Sequence, residues 1–331
     1  MKTLRLLLYP FSMLYGAIME LRNYAFRTGV KKSVKFDVPV VSVGNLSVGG
    51  SGKTPMIKYL ISQLQETYTI GVLSRGYGRE TRGYVLVDSS SEAKKVGDEP
   101  LEIKAAFPNV TVAVCESRVL GIPHLLQDNE SVDLVLLDDA FQHQYVSPSF
   151  SILMSTMRRP FYSDFVMPLG RLREFRKNYK RADVIVFNGG DLSFKPSTAL
   201  DIPYFVAHRE TTGLKTVWGD DNPVFDAPVV VSALASNDAF NQVFDREHPM
   251  AIIHAYRDHY RYTEREVRTF IEEAINRDGV IITTAKDWVK LKPYFRDSGG
   301  QVTVLVQEVG YTLPQADAFL GMLKSAIDEK R

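Results

Sequence analysis

The stretch VPVVSVGNLSVGGSGKTPMIKYLISQLQ, residues 38–65, opens with a β-branched apolar run, passes through a loop rich in glycine and continues as a helical pattern. A buried strand feeding such a loop and then a helix is a phosphate cradle. Gly49, Gly50, Ser51 and Gly52 let backbone N–H groups turn inward, and Lys53, Thr54 and Pro55 open the helix whose positive dipole end faces an anion. Lys53 is the residue to neutralise β- and γ-phosphate oxygens, and the Thr54 hydroxyl the one to ligate Mg²⁺. The loop departs from G-x-x-x-x-G-K-[ST] at one place: Ser47 stands where the first glycine is usual, and the pair Gly49-Gly50 falls inside the loop.

Outward from this loop, short apolar runs at 69–74, 110–114, 133–138, 149–154 and 183–188 alternate with helix-like segments. Runs of this kind are buried parallel strands, and their alternation predicts an α/β fold, a P-loop NTPase-like doubly wound parallel sheet. A less regular stretch, IPYFVAHRETTGLKTVW (202–218), is followed by a second series of apolar runs with the amphipathic pattern TEREVRTFIEEAI (263–275) between two of them. The predicted organisation is an N-terminal segment 1–36, a P-loop core 37–203 and a smaller C-terminal α/β domain 204–331. The polar segment SSSEAKKVGDEP (89–100) reads as a loop. The run VDLVLL ends in Asp138-Asp139, carboxylates at the C-terminal edge of a strand, where a phosphate-loop protein holds Mg²⁺ or its waters.

Composition excludes several classes. The 331 residues carry 40 basic and 39 acidic side chains, a net +1, so a nucleic-acid partner recognised through bulk charge is not expected. The lone cysteine, Cys115, makes neither an intramolecular disulfide nor a multi-thiolate metal site, and reads as an inert buried thiol in a reducing compartment. Charge is nevertheless uneven, because residues 1–36 hold seven Lys or Arg against Glu20 alone. Among them Leu7, Phe11, Leu14, Ile18 and Leu21 recur at helical spacing, while the apolar run 6–19 is shorter than the ~20 residues of a spanning helix. Pro10 interrupts any helix begun at Leu4, and a secretory signal fits poorly. Two readings stay open: a helix docked on its own domain through the apolar stripe, or a basic amphipathic helix lying in an anionic membrane surface.

The longer pattern GNLSVGGSGKTP (44–55) resembles the signature of the tetraacyldisaccharide 4'-kinases, which phosphorylate the lipid A disaccharide precursor at the cytoplasmic face of the bacterial inner membrane. Further matches follow in order: LSRGYGR (73–79), VGDEP (96–100), DDAFQH (138–143), RPF (159–161), LRE (172–174), Asp258-His259 and Lys286-Asp287. Local departures are Ala140, Leu169, Arg171, Tyr260, Ala285 and Trp288.

The resemblance implies ATP and Mg²⁺ as cofactors, a lipid A disaccharide precursor as acceptor, peripheral attachment through the N-terminal helix, and transfer of the γ-phosphate to the 4'-hydroxyl to give the 1,4'-bisphosphate. It implies Asp98 as the base and His259 as the group that orients or tunes it, with Lys53 completing the catalytic set. Thr54 and Asp139, with Asp138 and Glu174 beside them, are the metal candidates. Arg75, Arg118 and Arg173 are candidate phosphate clamps, Gln142 and His143 candidates for shaping the acceptor pocket, and Tyr77 and Glu99 further candidates for contact with substrate or phosphate. Oligomeric state is not readable. The competing classes are a P-loop GTPase or ATPase acting as a switch or metallochaperone, and a membrane-surface binding protein without activity. Guanine readers carry N-K-x-D, which neither 188–191 nor 284–287 matches.

Overall fold

A computed structural model of the chain describes residues 7–189, 191–234, 237–295 and 300–330. The first six residues of the expected N-terminal segment, and Gly190, lie outside these ranges. The described elements run α1 (Tyr9–Arg27), β1 (Val40–Asn45), α2 (Lys53–Leu64), β2 (Ile70–Ser74), β3 (Val85–Val87), α3 (Ala93–Val96), α4 (Asp98–Ala106), β4 (Thr111–Val114), α5 (Arg118–Asp128), β5 (Leu134–Asp138), β6 (Phe150–Thr156) and β7 (Val184–Gly189). They continue with β8 (Tyr204–Trp218), β9 (Val229–Ala233), α6 (Asp238–Glu247), β10 (Ile252–Tyr256), α7 (Glu264–Ile275), β11 (Val280–Thr284), α8 (Ala285–Leu291), β12 (Thr303–Thr312) and α9 (Ala316–Asp328).

The strands form one sheet in the order β10-β9-β11-β12-β8-β7-β6-β1-β5-β2-β4-β3. Every neighbouring pair is parallel except β3 with β4 at one edge and β8 with β12 in the middle. Strand β1 is buried along its whole length between β5 and β6, with Val43 opposite Asp138 and Asn45 opposite Met154. The chain passes from β1 to β2 on one side of it and from β5 crosses to β6 on the other, so the loop after β1 opens into the crevice that doubly wound sheets use for ligands. Helix α2 covers one face because Met56, Ile57, Leu60, Ile61 and Leu64 recur at helical spacing, and all five are buried.

Three expectations are corrected. The stretch read as irregular, 202–218, contains the 15-residue strand β8, whose alternation is broken by register shifts against β12. That ladder makes one continuous sheet of the two expected domains. The segment read as a loop, 89–100, instead holds α3 and the start of α4, separated only by Gly97 at φ 92°. The C-terminal helix, expected in the smaller domain, packs on the first half: Phe319, Leu323 and Ile327 share the core of Leu60, Leu64 and Ile70, and Tyr68 Oη donates to Asp328 Oδ1 at 3.0 Å. The second half keeps its own core of Val229, Val231, Phe270, Trp288, Phe295 and Val304.

Helix α1 starts at Tyr9 with Pro10 in its first turn, where a missing N–H costs nothing. It docks through small and polar residues rather than through its apolar stripe. Ser12, Gly16 and Asn23 are its buried positions, Ser12 Oγ donates to the Val166 carbonyl at 2.5 Å, and a Cβ on Gly16 would strike the Phe175 ring. Phe11, Leu14, Ile18 and Leu21 point away, 63%, 62%, 59% and 69% exposed. Among the described residues no helix is long and apolar enough to cross a membrane.

Because Phe319 is fully buried at the seam between α9 and the first half, Phe319→Ala is expected to lower unfolding free energy by about 3–5 kcal/mol. Urea unfolding of the full chain measures this.

Candidate active site

Asn45, the last residue of β1, is buried, and its Nδ2 donates to Ser51 Oγ at 2.7 Å, drawing the phosphate loop back over the strand end. The Asn188 amide supports the Ser51 carbonyl from β7. Gly49 and Gly52 adopt φ 102° and 81°, and Gly52 is the residue from which α2 starts. A side chain at Gly52 would collide with the Tyr311 hydroxyl of β12 and with Asn188. On the other side, the Val48 N–H donates to the Arg171 carbonyl at 2.8 Å and the Arg173 N–H to the Leu46 carbonyl at 2.7 Å, so the segment before Glu174 lines the loop.

Asp138 and Asp139 end β5 next to this loop. Asp138 is fully buried: its Oδ2 accepts from Ser74 Oγ at 3.2 Å, while Oδ1 has no hydrogen-bond donor among the described residues. Burial raises its pKa against the pull of Lys53. Asp139, at φ 48°, faces the cations. Arg173 Nη1 lies 3.1 Å and 3.3 Å from its two oxygens, and Lys53 Nζ is 3.7 Å from Oδ1. Burial works against ionisation there, but Lys53 and Arg173 prevail and hold Asp139 below its ordinary value. Arg173 also donates to Gln142 Oε1 at 3.0 Å, and Gln142 Nε2 donates to the Asn45 carbonyl at 2.8 Å. Lys53, Asp138, Asp139, Gln142 and Arg173 therefore stand together at the mouth of the loop, with Thr54 buried in the first turn of α2.

Two candidates are placed elsewhere. Both oxygens of the buried Glu174 are taken, by Asn23 Nδ2 at 2.6 Å and by Arg181 Nη2 at 2.7 Å, with Gln142 Nε2 at 3.1 Å. This carboxylate anchors α1 instead of standing free for a cation. Arg118, expected as a phosphate clamp, is 2% exposed, and its guanidinium donates to the carbonyls of Asp138 at 2.8 Å, Glu116 at 3.4 Å, and Cys115 and Asp139 at 3.5 Å. It shapes the turn after β5 from behind. His143 Nε2 accepts the Arg118 N–H at 3.3 Å, and burial, then Arg118, push its pKa down to about 4, so it is a neutral acceptor. Arg75 is exposed beyond the end of β2.

The second cluster joins the two halves. Asp98, first residue of α4, is buried, and both its oxygens face His259 Nδ1, at 3.1 Å and 3.0 Å. His259 lies between β10 and α7 at φ 57°, and the exposed Tyr77 ring sits 5.1 Å from its imidazole. Burial opposes ionisation of Asp98, but the His259 hydrogen bond, Lys286 and Lys290 outweigh it and bring the carboxyl down to about 2. The same hydrogen bond, opposed by burial, raises His259. Beside them Glu99 is driven up to about 7, by burial first and then by Asp138, so it lies electrostatically between the two clusters.

Sequence reasoning named Asp98, His259, Lys286 and Asp258 through their motifs but had no signal that placed Asn188 and Tyr311 under the phosphate loop. Lys290 was detectable only as the next-turn neighbour of Lys286 on a short helix. Tyr260, where a second histidine is common in the resembled family, stacks on Tyr256 at 4.3 Å and donates to Glu266 Oε1 at 2.7 Å; it is structural here.

Residues 4–328 match the protein family described as Tetraacyldisaccharide-1-P 4'-kinase. A tetraacyldisaccharide 4'-kinase of Cytophaga hutchinsonii is 39% identical over 311 residues, covering 89% of this chain and 87% of the relative. One from Porphyromonas gingivalis is 32% identical over 351 residues, 98% of each chain. Among solved structures, the "apo" form of LpxK from Aquifex aeolicus in complex with ATP superposes with a TM-score of 0.80 at 29% identity, covering 98% of this chain and 99% of that one.

Gly52→Ala meets both a positive φ and the Tyr311 hydroxyl. Left-handed backbone alone costs an alanine roughly 1–2 kcal/mol, so this variant is expected to melt lower and to bind ATP at least about tenfold more weakly, as read by calorimetric titration.

Proposed function

The chain belongs to the tetraacyldisaccharide 4'-kinase family, and on that premise we propose how its own residues carry the family's reaction and where it works. The protein is a lipid kinase of lipid A biosynthesis: it transfers the γ-phosphoryl group of ATP to the 4'-hydroxyl of a tetraacyl-diglucosamine 1-phosphate.

ATP lies with its triphosphate along the loop Gly49–Pro55. Lys53 and Arg173, both already pointed at Asp139, move their charge onto the β- and γ-phosphates, where bidentate and point-charge contacts lower the cost of the transferring group. The orphaned Asp138 Oδ1 at the end of β5 and the Thr54 hydroxyl in the first turn of α2 are oxygen ligands of the kind that fit Mg²⁺, a hard cation that takes one or two protein oxygens beside phosphate and water. When bound, Mg²⁺ supplies charge neutralisation across the phosphates. Of the acceptor candidates, Arg75 and Tyr77 are exposed and free to meet the lipid headgroup, while Gln142 and His143 are engaged by Arg173 and Arg118.

The observation that carries the reading is the pair Asp98–His259, brought together from opposite halves across 161 residues. Asp98 accepts the proton of the 4'-hydroxyl as the oxygen attacks phosphorus, while the His259 Nδ1–H donated to the same carboxylate holds it in place. The accepting form has Asp98 ionised and His259 neutral. His259 is raised above its usual 6.5 by its partner, so this form is depleted as pH falls through that raised value, and Asp98 at about 2 stays ionised throughout.

The exposed apolar stripe of α1, flanked by cations of residues 22–35, supports docking to an anionic membrane at its cytoplasmic face, where a four-chain lipid substrate stays. Docking by the small, polar face leaves the stripe for lipid.

With ATP, Mg²⁺ and tetraacyl-disaccharide 1-phosphate, mass spectrometry of the lipid is expected to follow the transfer. Asp98→Asn should lower kcat by about 10²–10⁴-fold with little change in KM for ATP. Wild-type kcat should rise as pH climbs above about 6.5, the ordinary histidine value, because His259 is raised above it, and His259→Asn should give a slower, flat profile there. A flat wild-type profile contradicts the assignment. Replacing Leu14 and Ile18 together by Asp leaves the buried face of α1 intact and is expected to abolish co-sedimentation with phosphatidylglycerol vesicles while ATP binding persists.

A further inference from the structure

The base pair has more company than a carboxylate and an imidazole need. Helix α8 carries two lysines onto it: Lys286 Nζ lies 3.7 Å and Lys290 Nζ 4.0 Å from Asp98 Oδ2. Lys290 is 8% exposed at its side chain and is built in from several directions. It pairs with the fully buried Asp287 at 2.8 Å, donates to the Tyr260 carbonyl at 3.1 Å, and lies 5.2 Å above the Tyr262 ring. Asp287 in turn accepts from the Ala233 N–H at 2.9 Å and from Thr284 Oγ1 at 2.8 Å, which fixes it to the end of β9 and to the first turn of α8. Lys286 donates to Asp258 Oδ1 at 2.7 Å and lies 3.4 Å from His259 Nε2.

A buried ammonium costs several kcal/mol unless its partners repay it, so two lysines converging on one carboxylate call for a reason. The charge count supplies one. Asp98, Asp258 and Asp287 bring three negative charges and the two lysines two positive ones, which leaves the cluster one positive charge short while His259 is neutral. Without the lysines the same cluster would carry three negative charges, and Asp98 would keep only the His259 hydrogen bond to hold it ionised and aimed.

We propose that Lys286 and Lys290 are positioning residues for the phosphoryl transfer: from the C-terminal half they hold the Asp98 carboxylate charged and oriented, with Asp287 as the anchor that transmits the position of β9 through Lys290. This rests on Asp98 being the base. Neither lysine touches the phosphate loop, so their loss acts on kcat and leaves nucleotide binding alone.

The test uses steady-state kinetics of the full chain with ATP, Mg²⁺ and tetraacyl-disaccharide 1-phosphate. Lys286→Gln and Lys290→Met are each expected to lower kcat by about ten- to hundredfold with KM for ATP changed less than about twofold, and Lys290→Arg to recover most of the loss. Lys290→Met leaves Asp287 buried and unpaired, so its melting temperature is measured alongside; Lys286, nearer solvent, carries the test if that variant unfolds. In the double variant Asp98→Asn with Lys286→Gln, kcat is expected to equal that of Asp98→Asn alone, because the lysine acts through the carboxylate. Unchanged kcat in both single variants overturns the proposal, as does a raised KM for ATP at normal kcat, or a full additional loss on the Asp98→Asn background. If Asp98→Asn is itself fully active, the base assignment fails instead, which the same data distinguish.

Discussion

An antiparallel ladder between Tyr204–Trp218 and Thr303–Thr312 lies in the middle of an otherwise parallel sheet, and the meeting of the two halves rests on it. A parallel continuation would need a further crossover helix, whereas this long pair of strands lets the chain leave the first half, build β9 to β11 with their helices, and return to close the structure with α9. Its return strand ends beside the phosphate loop, where Tyr311 stands against Gly52. The same ladder brings α8 against α4, so that a histidine and two lysines from the second half reach an aspartate at the start of a first-half helix.

The site divides into two electrostatic groups built in different ways. Around the loop, cations are held loosely by a partly exposed carboxylate, Asp139, which a phosphate is able to replace at small cost because screening already weakens the pair. Around Asp98 the pairs are buried and mutually anchored, and removing any partner leaves a charge without compensation. Phosphate binding needs exchangeable partners, and proton transfer needs fixed ones. Glu99, raised to about 7 between the groups, is a carboxyl whose charge is sensitive to both.

Helix α1 inverts the usual rule for a surface helix. It spends Ser12, Gly16 and Asn23 on its own domain and leaves Phe11, Leu14, Ile18 and Leu21 outside. Close approach at Gly16 and hydrogen bonds at Ser12 and Asn23 replace the apolar contact that would ordinarily dock it. Glu174 is part of that arrangement. It resembles a metal candidate by its motif, yet its two oxygens are consumed by Asn23, Gln142 and Arg181.

Much of this was readable in the order of residues alone. Periodicity, the glycines before Lys53 and the paired acids after an apolar run are local signals, and local signals suffice where backbone geometry over about ten residues decides the outcome, as in β1, the phosphate loop and β5. The motifs also named Asp98 and His259. Only the folded chain decided that Glu174 and Arg118 face inward, that the stretch 204–218 is a strand, that α9 belongs with the first half, and that Lys290 stands beside Asp98. Each of those depends on which distant surface a side chain meets. That choice is made by packing and by the cost of unpaired buried charge, and neither is written in any short window of sequence.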